Sequence, residues 1–194
     1  MLALDPYPSS NTCLFICFVS LLAEMSVVSA EGGVRVKIRT SPDMFWNYIQ
    51  HSKKYFPKAA NSLYLSISSD SKNGNVRHVT YGPRAENIKK STETITKNDR
   101  GEFAYTVTGG DILTRFPVTN FKAVIRYPRD QWVSWTWTYN YTSDKEEDAI
   151  SVDKEMSEIA SETLAKVDYY VQSESFNFAA ANFAAAAKLQ AQAS

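Results

Sequence analysis

The sequence predicts an α+β fold: one curved antiparallel sheet of seven strands with helices packed on one side. Three observations predict it. From Val133 to Tyr141 every second residue is large and apolar or aromatic, with Ser, Thr, Thr and Asn between, which is the period of a strand with one buried and one wet face. Upstream, shorter segments recur between clusters of Gly, Pro, Asn and Asp, the spacing of a meandering antiparallel sheet. Directly downstream, from near Ile150, apolar residues recur at three and four, which makes one helical face. Three of the four Trp, at 132, 135 and 137, lie in the aromatic strand. A strand this heavy needs a broad cover. Strand and helix are therefore read as the floor and lid of one interior, where the function is expected.

Taken in order, residues 34–40 alternate apolar and basic and form a half-buried strand. Ser41-Pro42-Asp43 starts a helix, with Ser suited to the N-cap, Pro to the first turn and Asp to the positive helix end. Phe45, Trp46 and Ile49 give it an apolar face, Pro57 breaks the helical run, and a second short helix fits around residues 51–56. A strand at 63–67 runs into a turn-rich stretch where Asn73-Gly74 suits a tight hairpin. Val76–Tyr81 follows and stops at Gly82-Pro83, and residues 89–96 lead to the turn Asn98-Asp99-Arg100-Gly101. Residues 102–108 alternate with Phe103, Tyr105 and Val107 on one face. Gly109-Gly110-Asp111 turns the chain into 112–116, Pro117 interrupts, and 121–127 is the penultimate strand, with Pro128-Arg129-Asp130 as the last turn. On the final helix Val152, Met156, Ile159, Ala160, Leu164, Val167, Tyr170 and Val171 form the apolar stripe. Asp153, Lys154, Glu155, Glu158, Glu162 and Lys166 are assigned to the opposite face, with Glu162 and Lys166 at a supporting i,i+4 spacing.

Residues 31–172 suffice for one domain of ordinary size, and residues 173–194 read as an Ala-rich extension, helical or frayed. Residues 1–30 admit two readings. The apolar run from Cys13 to Ala23, too short to span a bilayer, and the small residues Val28-Ser29-Ala30 fit a cleaved signal peptide. The absence of Lys or Arg before the run, and Met25 as a second possible start, fit an upstream extension outside the working protein. The sequon Asn140-Tyr141-Thr142 has meaning only for a secreted chain and falls inside the aromatic strand.

The 194 residues carry 21 basic and 21 acidic side chains, so the net charge of zero argues against a nucleic-acid partner. Apolar content of 44% is ordinary for a globular chain and gives no sign of stable membrane insertion. Cys13 and Cys17 both lie in the N-terminal run, so the folded body has neither a disulfide nor a thiolate metal site. His51 and His78 stand far apart without acidic neighbours at metal spacing, and no metal or cofactor is expected.

The order strand, two short helices, six strands, long helix resembles the helix-grip, START-like fold of the birch-pollen-allergen superfamily. The wording is most similar to the plant major latex proteins: Ser41-Pro42-Asp43-Met44-Phe45-Trp46, Phe56-Pro57-Lys58-Ala59, Thr80-Tyr81-Gly82, Gly110-Asp111-Ile112-Leu113, Phe121-Lys122-Ala123 and Val133-Ser134-Trp135-Thr136 appear in the family's order over about residues 33–172. The resemblance implies a cytoplasmic plant protein with a large apolar cavity, carrying hormones or secondary metabolites and linked to defence and stress. It implies a monomer or weak dimer. Two features depart from the family: the stretch 69–75 has a single Gly where the family has a glycine-rich loop, and the N-terminal apolar run is foreign to it.

The inward set on the strands is Arg77, Val79 and Tyr81, then Phe103, Tyr105 and Val107, then Trp135, Trp137 and Tyr139, with Met156, Ile159 and Leu164 closing over them from the helix. Period two turns Arg77 inward with Val79 and Tyr81 and leaves His78 outside; Arg77 either greets the polar end of a ligand or reaches solvent past the mouth. The same residues could instead fill a solid core. No Ser/His/Asp set, nucleotide loop or paired carboxylates stand out, so no catalytic residue is assigned. Norcoclaurine synthase, an enzyme of the superfamily, works through a lysine, acids and a tyrosine, and the strand that would carry the lysine reads Glu102-Phe103-Ala104-Tyr105. A ligand carrier is the main expectation, a cavity enzyme of specialised metabolism the second, and a secreted defence protein acting on another macromolecule the third.

Overall fold

A computed structural model of the chain describes residues 26–192. The elements are β1 (Val27–Lys37), α1 (Pro42–Gln50), α2 (Ser52–Ala59), β2 (Tyr64–Ser69), β3 (Val76–Tyr81), β4 (Lys90–Asn98), β5 (Glu102–Gly110), α3 (Asp111–Thr114), β6 (Val118–Arg129), β7 (Trp132–Thr142) and α4 (Glu146–Gln192). The seven strands form one antiparallel sheet in the order β1-β7-β6-β5-β4-β3-β2. β2 to β7 meander, and β1 lies at the open edge beside β7. The helices α1 and α2 carry the chain from that edge to the other. α4 packs along the sheet's inner face, and its 47 residues make it about 70 Å long at ~1.5 Å per residue.

The expected strand period holds where it was clearest. In β7 Val133, Trp135, Trp137 and Tyr139 are buried while Thr138 is exposed. Ser41 caps α1, its hydroxyl accepting from the Met44 amide, and Pro42 takes the first turn.

Several local expectations are corrected. β1 begins at Val27, seven residues before the alternation was expected to start, because residues 27–33 pair with β7 residues 136–142. The Gly32-Gly33 pair hides that pattern, yet Gly32 is required: a Cβ there would collide with the Asp153 carboxylate and the Trp137 indole. Pro57 does not break α2. It sits near the helix end, where its missing N–H frees only the Lys53 carbonyl, and the break between the helices falls at His51. Asn73-Gly74 does not make a two-residue hairpin. Six residues join β2 to β3, and the Asp70 carboxylate organises them by accepting from the Lys72 and Asn73 amides at 2.7 and 3.0 Å. The tight turn before β7 lies at Asp130-Gln131, both with positive φ of 50° and 63°. Residues 111–114 are the short helix α3, and β6 starts at Val118.

α4 corrects the face assigned to two acids. Glu155 is buried and Asp153 half-buried, because a helix lying in a concave sheet is covered over more than its apolar stripe. Lower on the helix the buried Asp168 carboxylate accepts from the Arg39 and Thr40 amides and, at 2.6 Å, from the Thr40 hydroxyl, which ties α4 to the end of β1. From Gln172 the helix continues without a break past the last fully buried residue, Val171. The N-terminal apolar run with Cys13 and Cys17 lies outside the described residues.

Candidate ligand-binding site

The inner face of β3 and β4 carries a polar cluster inside an aromatic shell. Arg77 and Glu93 are direct partners in the β3–β4 register, and both side chains point inward. Arg77 Nε donates to Glu93 Oε2 at 2.5 Å, and its Nη1 donates to the Ser52 hydroxyl of α2 at 2.9 Å. Ser91 donates to the other Glu93 oxygen at 3.1 Å. The guanidinium also lies over the rings of Phe103 and Tyr105, 4.9 and 5.1 Å from their centres. Arg77 is 7% exposed and Glu93 1%, so the pair is withdrawn from water.

The shell comes from four strands, α2 and α4. The Tyr64 ring lies tilted against Tyr81 at 5.4 Å and against Phe56 at 5.3 Å. Trp135 packs edge-on against Tyr105 at 6.4 Å, and its indole N–H has no partner in hydrogen-bond geometry among the described residues. Three polar contacts fasten α4 to this face. The Thr163 hydroxyl donates to the Ile159 carbonyl, which leaves the Tyr64 hydroxyl, 2.8 Å from Thr163 Oγ1, as donor to it. Trp137 Nε1 donates to Asp153 at 2.8 Å, and the Tyr139 hydroxyl donates to the Ala149 carbonyl at 2.9 Å.

Electrostatics sort these groups into neutral and charged. Burial raises the phenols of Tyr81 and Tyr105 well above their ordinary range, and the Glu93 charge adds to the rise. Burial likewise raises Tyr64, and it brings Tyr139, beside Asp153, to about 12. For Arg77 burial opposes the charge, but Glu93 outweighs it and holds the guanidinium charged. The interior therefore offers neutral phenol hydroxyls and one fixed ion pair.

All twelve side chains assigned from the sequence are buried, and the eleven other than Arg77 lie in one hydrophobic core. Arg77 turns inward and meets Glu93 instead of reaching solvent, and His78 on the opposite face is exposed. Sequence reasoning missed Glu93, Ser91, Ser52, Tyr64 and Thr163. Glu93 carried a signal: period two places it with Ser91 on one face of β4, and an inward carboxylate needs a cation on a neighbouring strand. Among the described residues no group of three or more His, Cys, Asp and Glu could hold a metal ion, and no helix is long and apolar enough to cross a membrane.

One further opening lies beside this interior. A cleft of about 230 Å³ separates α4 from the β3–β4 loop, with Leu63 and Ile159 among its lining residues. Ile159 belongs both to this wall and to the interior set.

The family profile described as the pathogenesis-related protein Bet v 1 family matches residues 28–174, most of the chain. The chain belongs to the Bet v 1 family. Its sheet wrapped around a long C-terminal helix is that family's helix-grip fold. Solved structures with the same fold include ginseng major latex-like protein 151 from Panax ginseng, 10% identical with a TM-score of 0.56 over 74% of this chain and 99% of that one. Truncated norcoclaurine synthase from Thalictrum flavum is 15% identical with a TM-score of 0.57 over 76% and 96%. An uncharacterized protein from Bacillus thuringiensis is 19% identical with a TM-score of 0.56 over 74% and 99%. At these identities the likeness is one of fold. No curated protein sequence matches the chain.

Proposed function

We propose that this Bet v 1 family member binds and carries a hydrophobic small molecule between the sheet and α4, in the manner of the major latex proteins. One observation carries the reading: the buried Arg77–Glu93 pair lies in the interior against the rings of Phe103 and Tyr105. A core built only for stability gains little from a buried ion pair, since apolar residues of the same volume do as well or better. A binding interior gains a fixed polar anchor. The preferred guest is mainly apolar, with one or two polar groups that meet Arg77, Tyr81 or Tyr105. Burying about 300 Å² of its surface yields at most ~7 kcal/mol at roughly 25 cal/mol per Å², and the entropic cost of association brings the expectation to micromolar affinity. A monomer or weak dimer, cytoplasmic residence and a role in defence or stress go with this reading. Cytoplasmic residence draws support from β1: cleavage after Ala30 would strip away residues 27–30, which pair with residues 139–142 of β7.

A second reading, a cavity enzyme of specialised metabolism, is favoured by the fold shared with norcoclaurine synthase and by the acid Glu93 among raised phenols. Turnover of a bound compound by the purified protein separates the two.

The decisive experiment titrates the folded protein with anilinonaphthalene sulfonate while following Trp fluorescence. Saturable binding is expected, and Trp137→Ala should change probe affinity while costing less than the roughly 3–5 kcal/mol of an emptied, close-packed aromatic site. No probe binding, with the full core-sized loss of stability, would mean a solid interior and end the carrier reading. Where the probe binds, mass spectrometry of compounds retained through native purification would identify the guest.

A further inference from the structure

We propose that the outer face of β1, β7 and β6, near the end where α4 leaves the sheet, is a docking surface for an anionic phospholipid bilayer. The face points away from the interior, and docking needs no guest there.

The strand register builds this face from cations. Arg35 and Arg126 are the partners of Ser134 on either side of β7, and Lys37 and Arg129 are the partners of Trp132. All four cations are exposed, and Trp132 is 38% exposed among them. Two strand spacings separate the members of each pair by about 10 Å, and the pairs lie roughly 7 Å apart along β7. Arg100 of the β4–β5 turn lines the same shallow depression. The Arg35 guanidinium lies 5.0 Å over the Trp132 ring, and Arg126 donates to the Thr136 hydroxyl at 3.3 Å. None of these five cations forms an ion pair among the described residues. Glu102, the carboxylate that lines the depression, is engaged by Lys97 at 3.4 Å, and Asp130 in the adjoining turn is the acid left beside them. The charge is also segregated along the chain. β7 carries no charged residue, residues 32–42 and 112–129 carry no acid, and residues 143–174 hold ten acids against three lysines. A chain of zero net charge thus has a basic outer sheet and an acidic helix.

The layout selects the partner. One small anion meets two of these cations, whereas the spaced headgroups of an anionic bilayer meet all five. Trp132 in their midst has the amphipathic ring favoured at the membrane–water boundary. Apolar surface adjoins the cations. The Ile38 amide donates to the Gln131 carbonyl, and Asp168 accepts from the Arg39 and Thr40 amides. The β6–β7 turn, the end of β1 and the exit of α4 therefore share one end of the molecule. Beyond that exit Phe176, Phe178 and Phe183 stand exposed. A headgroup layer takes up such rings, while a row of duplex phosphates offers them nothing.

Co-sedimentation of the full chain with vesicles tests this, using phosphatidylcholine alone and phosphatidylcholine with about 30% phosphatidylserine. At about 0.05 M salt the anionic vesicles should bind at least tenfold more tightly, and about 0.5 M salt should remove the difference. Arg35→Gln with Arg126→Gln should lower anionic binding about 25-fold, at roughly fivefold per cation, with thermal unfolding unchanged. Lys37→Gln with Arg129→Gln should do the same and serves if the first pair fails to fold. Lys58→Gln with Lys145→Gln removes the same charge at exposed positions elsewhere and should leave binding unchanged. Trp46, Trp135 and Trp137 are buried, so quenching by brominated phosphatidylserine should come from Trp132 and be lost in Trp132→Phe. Equal binding to both vesicles, equal loss in the control pair, or quenching that survives Trp132→Phe overturns the proposal. Tighter binding to a duplex oligonucleotide at the same salt also overturns it and makes nucleic acid the partner.

Discussion

From residue 146 to 171 α4 lies along the sheet, and Val152, Met156, Leu164, Val167 and Val171 are each at most 1% exposed. From residue 172 to 192 the same helix continues with no described side chain buried, and Phe176, Phe178 and Phe183 are 78%, 71% and 80% exposed. The first part is held by tertiary contacts on a sequence of mixed propensity. The second has alanines, which favour the helix locally, and borders only the start of α1, where Thr40, Ser41 and Met44 share a shallow groove with Gln172, Ser175, Phe176 and Ala179. Continuous geometry thus conceals two sources of stability: one is cooperative with the domain, the other is local and opens at little cost.

Four measurements sharpen or break this contrast. The largest effect is expected from Leu164→Ala, which should cost about 2–5 kcal/mol in denaturant unfolding, because the site is sealed between helix and sheet. Next comes Asp168→Ala, at about 2–3 kcal/mol, since it removes a buried carboxylate and leaves the Arg39 and Thr40 amides without their acceptor. Glu162→Gln should cost only a few tenths of a kcal/mol at neutral pH, because its partner Arg84 is exposed, Lys166 is half-exposed, and both are screened by solvent. Burial acts to raise the Glu162 pKa, yet Lys166 and Arg84 hold it below its ordinary value. Its contribution is therefore present above the unfolded pKa and is lost as pH falls through the lower folded one. The gap between wild type and Glu162→Gln should narrow and close as pH falls through the folded carboxyl's lowered range. The smallest effect belongs to the free part: ending the chain at Gln172 should lower helical ellipticity but shift stability by less than about 0.5 kcal/mol. A large drop in the melting temperature would show that the exposed Phe residues are covered in solution.

The sequence was most legible where one rule acted alone. In β7 period two spans the whole element, and the burial of Val133, Trp135, Trp137 and Tyr139 follows from it. The stripe on α4 was legible for the same reason. Legibility failed where tertiary contact decides. Asn73-Gly74 is a strong turn signal, yet the neighbouring Asp70 captured two amides and set a longer loop. Gly32 looks like an interruption until Trp137 and Asp153 are seen to fill the space beside it. Glu155 looks like a solvent-facing acid until the β3–β4 loop folds over it. In the candidate site the aromatic shell was visible from periodicity. The Arg77–Glu93 pair was not, because it depends on a register that no single strand encodes.

β1, at the open border of the sheet, has a bearing on how the protein behaves at high concentration. Its outer backbone groups find no strand among the described residues, and such a border can recruit further copies into fibrils. From Glu31 onward the border is guarded by exposed Glu31, Arg35 and Lys37, whose charges discourage strand-to-strand docking. Val27-Val28-Ser29-Ala30 carries no charge at all. Colloidal stability therefore depends on the second half of β1, and the first half is the segment to modify when a formulation clouds.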